Sequence, residues 1–380
     1  MLKQCQDGYC AKFTEFVDMQ NYHQRLHDNS HWERAAVKSL HVEPLAKTSP
    51  LFFDQTRFAS SVSGDAIADT ADNLGLAIRV GSGIYPVRDT AYKGLLDRAK
   101  ISGTALSKLS RERLAEVLNS CLALHKDSAL VLIRDEKVSA AHSGDSSDYS
   151  VLEIDQLLES LQKEMDARFP GNTFISGYSD HAITSASWSL PEQKEELLGT
   201  YAKLLTAQGC GAMAAKLMPG IRFTTSDTAS SSAKVAALLM GQQYPIYIGS
   251  IIAVNHRRRA TVDDFSDSLQ QLFAQFSDSI AKLRKLLSVQ LEHPVNAMTA
   301  VAKSLKLPKK AAIEAIDMFE TVNGDDPGTA HDVFMALQEV PFILKTNGTS
   351  EGRLLLLQET MARALTLRWS DYDLAKKVEW

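Results

Sequence analysis

The chain has 380 residues, 44% hydrophobic and 23% charged, with a net charge of −5 and a pI near 6.1. These values exclude a disordered chain and a generally basic nucleic-acid coat, and they allow one large core or two to three smaller ones. Four cysteines (Cys5, Cys10, Cys121, Cys210) make no C-x-x-C pair, the first residues carry no signal-peptide core, and no apolar run reaches roughly 18 residues, so a cytoplasmic protein without a zinc knuckle or membrane span is expected.

In chain order, residues 13–32 predict a short helix rich in His, Gln and aromatics. Pro44, Pro50 and the serines at 60–63 suggest an arm or loosely packed lead-in up to residue 80, with a small amphipathic helix or turn over 65–75. Apolar residues recur at helical spacing over 89–99 and 111–125, and Ser110 is placed to cap the second helix. The run 129–133 reads as a buried strand, 134–137 as a turn and 138–142 as the partner strand. Helical spacing returns over 154–169, a second hairpin fits 174–190, and a helix fits 192–205.

Residues 221–225 alternate as a strand. The polar run 226–232 then leads into 235–240, and 245–254 is the strongest strand candidate, β-branched and uncharged. From Thr261 the pattern is helical: 262–287 with Phe265, Leu269, Leu272, Phe273 and Phe276 on one face, then 295–305, 309–319, 331–344 and 352–367. The expected class is α+β, a small antiparallel sheet of hairpins packed with helices and followed by a mainly helical C-terminal region. The expected layout is an arm and lead-in over 1–80, a core domain over 81–260 and a helical region over 261–380.

Four stretches carry candidate chemistry. His256, Arg257, Arg258 and Arg259 directly follow the best strand, and a cluster of guanidinium forks suits phosphate oxygens; Asp263 and Asp264 are close enough to offset them. In residues 224–232 the hydroxyls and free N–H groups suit an anion at a helix start, or Ser226 and Asp227 cap a following helix; no P-loop spacing is present. Arg88, Tyr92 and Lys93 place an aromatic beside cations, as a stacked base and its phosphate require, or begin a helix that packs its tyrosines. Arg222 adds a cation in the strand before the polar run. Residues 300–316, with Lys303, Lys306, Lys309 and Lys310, have helix-turn-helix spacing that a plain helical hairpin also gives.

His23, His27 and His31 recur every four residues, but no H-E-x-x-H arrangement accompanies them, so they read as a surface stripe and no metal or cofactor is expected. No G-x-S-x-G elbow or nucleophile–base pair can be assembled, which argues against an enzyme.

The stretches YPVRDTAYKGLLDRAKISGTAL, KVSAAHSGDSSDYSVL, GIRFTTSDTASSSAKV, HRRRATVDDF, HPVNAMTAVAKSLKLPKKAAIEA and GTAHDVF resemble an uncharacterised family of phage- and plasmid-encoded proteins. The resemblance implies a bacterial mobile element and a cytoplasmic setting, and it carries over no catalytic residue. The expected architecture is also similar to that of single-strand annealing proteins of the RecT and Erf kind. The expectation is therefore a non-enzymatic, homo-oligomeric nucleic-acid-binding protein of a phage or mobile element, with single-stranded DNA binding or annealing as the finer form of that expectation. The alternative is an assembly module, structural or counter-defence, of the same element.

Overall fold

Alternating polar and apolar residues between Thr173 and Met240 build the spine of the molecule, an antiparallel sheet closed off by helices on both faces. The computed structural model describes residues 2–241, 245–249, 252–324 and 326–380. It begins with β1 (Cys10–Phe13), α1 (Phe16–Asp28), β2 (His31–Ala36) and β3 (His41–Pro44). Next come α2 (Pro50–Phe53), α3 (Gly64–Asp72), β4 (Leu76–Val80), β5 (Gly83–Pro86), α4 (Asp89–Ala99) and α5 (Arg111–Leu122). The middle holds β6 (Ser128–Arg134), β7 (Lys137–Ser143), α6 (Ile154–Arg168), β8 (Thr173–Asp180), β9 (Thr184–Ser189), α7 (Lys194–Ala207) and α8 (Gly211–Lys216). Strands β10 (Met218–Thr225), β11 (Ala233–Met240), β12 (Ile246–Tyr247) and β13 (Ile252–Val254) follow. The C-terminal part contains α9 (Val262–Leu269), α10 (Leu272–Leu286), β14 (Gln290–Leu291), α11 (Pro294–Ser304), α12 (Lys309–Asn323), β15 (Gly328–Thr329), α13 (Ala330–Leu337), α14 (Glu339–Thr346) and α15 (Glu351–Ala362).

The large sheet has the order β1-β8-β9-β10-β11-β12, with β13 also on β11. Its inner face sends Ala186, Trp188, Ile221, Phe223, Val235, Ala237 and Leu239 into one core with α6, α7, α9, α10 and the C-terminal helices. The alternate residues, Ser185, Ser187, Arg222 and Thr224, face the other way and are also buried. Helix α15 lies on that second face: Gln358 accepts from Arg222, and Glu359 pairs with Lys234 at 2.7 Å. Two three-stranded sheets, β2-β6-β7 and β3-β4-β5, share a second core with α4 and α5. A parallel bridge between Val87 and Val138 joins them.

The α+β class stands, with the sheets antiparallel throughout. Several local expectations are met. Helix α4 spans 89–99, Ser110 Oγ accepts from Arg113 N–H to start α5, and Asp135 and Glu136 turn the β6–β7 hairpin with φ of 50° and 71°. Others are corrected. Residues 2–80 form no arm: β1 pairs with β8 in the large sheet, β2 pairs with β6, and Met19 and Leu45 are fully buried. Residues 233–240 are a strand, so the serine-rich run caps no helix and instead links β10 to β11. The strand expected over 245–254 is two short ones, β12 and β13; Ser250 and Ile251, within that expectation, lie outside the described residues. The helix expected over 262–287 is two, α9 and α10; the side chains of Leu272 and Phe273 lie outside the description.

The N-terminal segment is held by charge. Lys137 is fully buried, with Nζ 2.9 Å from Asp7 Oδ1 and 2.5 Å from Asp69 Oδ2. Arg88, 1% exposed, reaches the same Asp7 oxygen at 3.1 Å. Asp7→Ala leaves two buried cations with one carboxylate between them. The expected loss is about 3–5 kcal/mol in urea unfolding, whereas Lys47→Ala, which breaks the exposed Lys47–Asp72 pair, should leave the midpoint near wild type.

Candidate functional site

A groove of about 880 Å³ runs along the seam between α4 and β7 on one side and the large sheet's loops on the other. Close approach of α4 to β7 sets its floor. Gly94 permits this, because a Cβ there would stand 2.4 Å from the Ala141 carbonyl oxygen. Lys93, Asp97 and Arg98 therefore line one wall, and Ser230, Ser231, Ser232 and Arg257 line the other. Three stretches far apart in the chain meet here: 85–93, 224–232 and 256–259.

The arginines sit on a turn pinned to the 146–150 loop by main-chain bonds. Arg258 N–H donates to Ser147 O at 2.9 Å, Arg259 N–H to Ser146 O at 3.1 Å, and Ser150 N–H to His256 O at 2.9 Å. Arg258 and Arg259 both adopt left-handed backbone, φ 58° and 61°, which costs a residue with a Cβ roughly 1–2 kcal/mol each. All three guanidinium groups are exposed and form no salt bridge or hydrogen bond among the described residues. Asp264, close enough in sequence to offset them, is spent on a capping box with Thr261 at the start of α9.

Inside the groove a column of rings stands against the wall. His142 and Tyr149 stack at 3.7 Å and 17°, Tyr149 and His256 at 5.6 Å and 7°, and Trp32 tilts against His142. Tyr149 Oη donates to the Asp227 carbonyl at 2.9 Å, and His142 Nε2 lies 2.8 Å from the same oxygen. Burial holds the His142 and His256 imidazoles below their usual pKa, which keeps the column uncharged. Asp89, Asp97 and Asp148 also line the groove and balance Lys93, Arg98 and Arg257 there, and Arg258 and Arg259 follow Arg257 on the same exposed turn.

Some expected site residues are elsewhere. Arg88 is buried in the charge cluster and cannot meet a phosphate. Tyr92 is partly buried against the second core, with its hydroxyl inward. Arg222 lies under α15, its Nε donating to Ser187 Oγ at 3.1 Å and its guanidinium 5.4 Å from the Tyr247 ring centre. His256 reaches the groove as a buried ring and not as a cation. The lysines of 300–316 flank a plain helical hairpin, α11–α12, where Lys303 donates to the Glu379 carbonyl. His142, Tyr149 and Asp148 carried no sequence signal, because their roles arise only when β7 meets the 226–232 loop.

Below the groove the seam encloses a water-sized cavity of about 10 Å³ lined by His23, Arg134, Asp135, His181 and Asp227. Arg134 pairs with Asp227 at 2.5 Å. No helix among the described residues is long and apolar enough to cross a membrane. No family model, no curated protein and no solved structure matches the chain.

Burial pushes the His23 and His181 imidazoles down to about 3 and the Asp135 carboxyl up to about 6. For the histidines, the folded value lies below the unfolded value near 6.5. Their stability contribution is full above that value and is lost as pH falls toward 3, each at about 1.4 kcal/mol per pH unit. Asp135 works the other way, adding stability as pH falls from about 6 to about 4. Two imidazoles outweigh one carboxyl, so unfolding free energy should fall between pH 6 and pH 4. His181→Gln should flatten that fall by about 1.4 kcal/mol per unit, measured by urea unfolding at each pH.

Proposed function

We propose that this protein binds single-stranded nucleic acid along the seam groove, as a non-enzymatic component of a phage or other mobile element. The observation that carries the reading is the turn Arg257-Arg258-Arg259: three adjacent, exposed, unpaired guanidinium groups on a backbone tied down by main-chain bonds. Such forks grip phosphate oxygens with little ordering cost. Lys93 lines the groove opposite Arg257, and the partly exposed His142 ring, at the end of the column, stands in the same groove. Asp89, Asp97 and Asp148 offset the cations lining the groove, so Arg258 and Arg259 supply the further positive charge for phosphates.

The test is fluorescence anisotropy with labelled single-stranded and duplex DNA at about 50 and about 200 mM salt, the range over which phosphate contacts lose their hold. Binding should favour the single strand and weaken with salt. Replacing Arg257, Arg258 and Arg259 together by Ala should lower the slope of log K against log salt by about 2. An unchanged slope, or no binding at the lower salt, overturns the proposal.

A second reading, a protein-interaction or assembly module that forms homo-oligomers, rests on α12. Met318 and Val322 are 49% and 89% exposed on one face of that helix. Light scattering separates the two: an oligomer that ignores DNA and becomes monomeric in Val322→Glu supports assembly and removes the nucleic-acid reading.

A further inference from the structure

Away from the groove, the geometry points to a divalent-metal site: His27, Glu153 and Asp155 bind one first-row divalent cation and thereby clamp α1 to the start of α6. One donor atom from each of the three residues lies within 4.8 Å of the others. Metal bonds of about 2.0–2.2 Å place donors roughly 3–4 Å apart, so small side-chain rotations suffice to close the set.

A second observation is independent of that convergence. Asp155 is only 5% exposed, and the two oxygens of its carboxylate are unequally served. Its Oδ2 stands 2.9 Å from His27 Nδ1, while its Oδ1 is buried with no hydrogen-bond partner. A buried carboxylate oxygen without a donor is costly and calls for an explanation. An ion pair between His27 and Asp155 alone leaves both that oxygen and Glu153 unanswered, since Glu153 forms no side-chain hydrogen bond among the described residues. The nearby guanidinium, Arg134, pairs with Asp227 and makes no hydrogen bond or salt bridge to Glu153 or Asp155 among the described residues. A dication answers both carboxylates at once.

The frame around the site is already built. Gln20 on α1 donates to the Asp155 carbonyl at 3.0 Å, and Met19, His23 and Leu26 bury the same helix. One imidazole with two carboxylates suits Zn²⁺ or Mn²⁺ better than Ca²⁺, which prefers oxygen ligands alone. Three protein ligands leave further positions for water. His27 and His23 lie one helical turn apart, yet only His27 enters the set; His23 points into the seam.

The test uses the full chain, stripped with EDTA and titrated calorimetrically with Mn²⁺ and, separately, Zn²⁺. One equivalent should bind, with Zn²⁺ tighter. Glu153→Gln, which removes no hydrogen bond, and His27→Gln should each weaken that binding more than about tenfold with an unchanged circular dichroism spectrum. Asp155→Asn should do the same, but it sits deeper and is read only if the spectrum is retained. Wild-type protein that takes up neither ion stoichiometrically overturns the proposal. So do Glu153→Gln and His27→Gln variants that bind as wild type, because an ion held by exposed thiols or other histidines would not respond to them.

Discussion

Everything at the seam depends on the carboxylate of Asp7. It meets Arg88 and Lys137 together, two cations that are almost completely withdrawn from water. Desolvating such groups costs several kcal/mol each, and only close opposite charge and hydrogen bonds offset it. Asp69 from α3 and Ser139 from β7 add further bonds to the cluster. Four pieces of chain thus converge on one point: the N-terminal segment, α3, the start of α4 and the turn into β7. Because Arg88 immediately precedes α4, the cluster also fixes where that helix begins, and so where Lys93 and Arg98 stand along the groove.

A second buried pair extends the strut to the large sheet. Arg134, at the end of β6, binds Asp227 in the β10–β11 loop. The carbonyl of the same Asp227 receives the Tyr149 hydroxyl and lies against His142. The ring column of the groove is therefore bonded to the residue that locks the two sheet systems together. The groove is a consequence of the seam: two separately cored bodies packed through charge cannot close completely, and the gap keeps a wall from each.

The helices and hairpins that fold on local signals were legible. Ser110 caps α5 because its hydroxyl reaches an orphan N–H, and the 134–137 turn reads as a turn because its central residues accept left-handed backbone. Residues 233–240 were harder, since AKVAALLM suits a buried helix as well as a strand flanked on both faces, and pairing with β10 decides it. Composition misled over 1–80, where Pro44 ends a paired strand, Pro50 starts α2 and Ser63 caps α3. The candidate cations show the deeper limit. Sequence places Arg88 and Arg222 beside the right loops, but not the direction of their side chains. Both turn inward to Asp7 and Gln358, whereas Arg257, Arg258 and Arg259 are held outward by a turn whose bonds come from residues more than 100 positions earlier.

In that outward turn, strain and exposed charge coincide. Two non-glycine residues in left-handed backbone are sustained by three main-chain bonds to the 146–150 loop, and Asp264 is engaged in the capping box of α9. A surface turn with no role would relax at little cost, through Gly or Asn at those φ values or through an aspartate left free to pair. Here the surrounding structure fixes the backbone of three exposed arginines beside a ring column. The backbone of this turn is thus fixed on folding, by its bonds to the 146–150 loop. A polyanion arriving at this rim would meet groups already in place, and its affinity would depend on salt more than on base sequence.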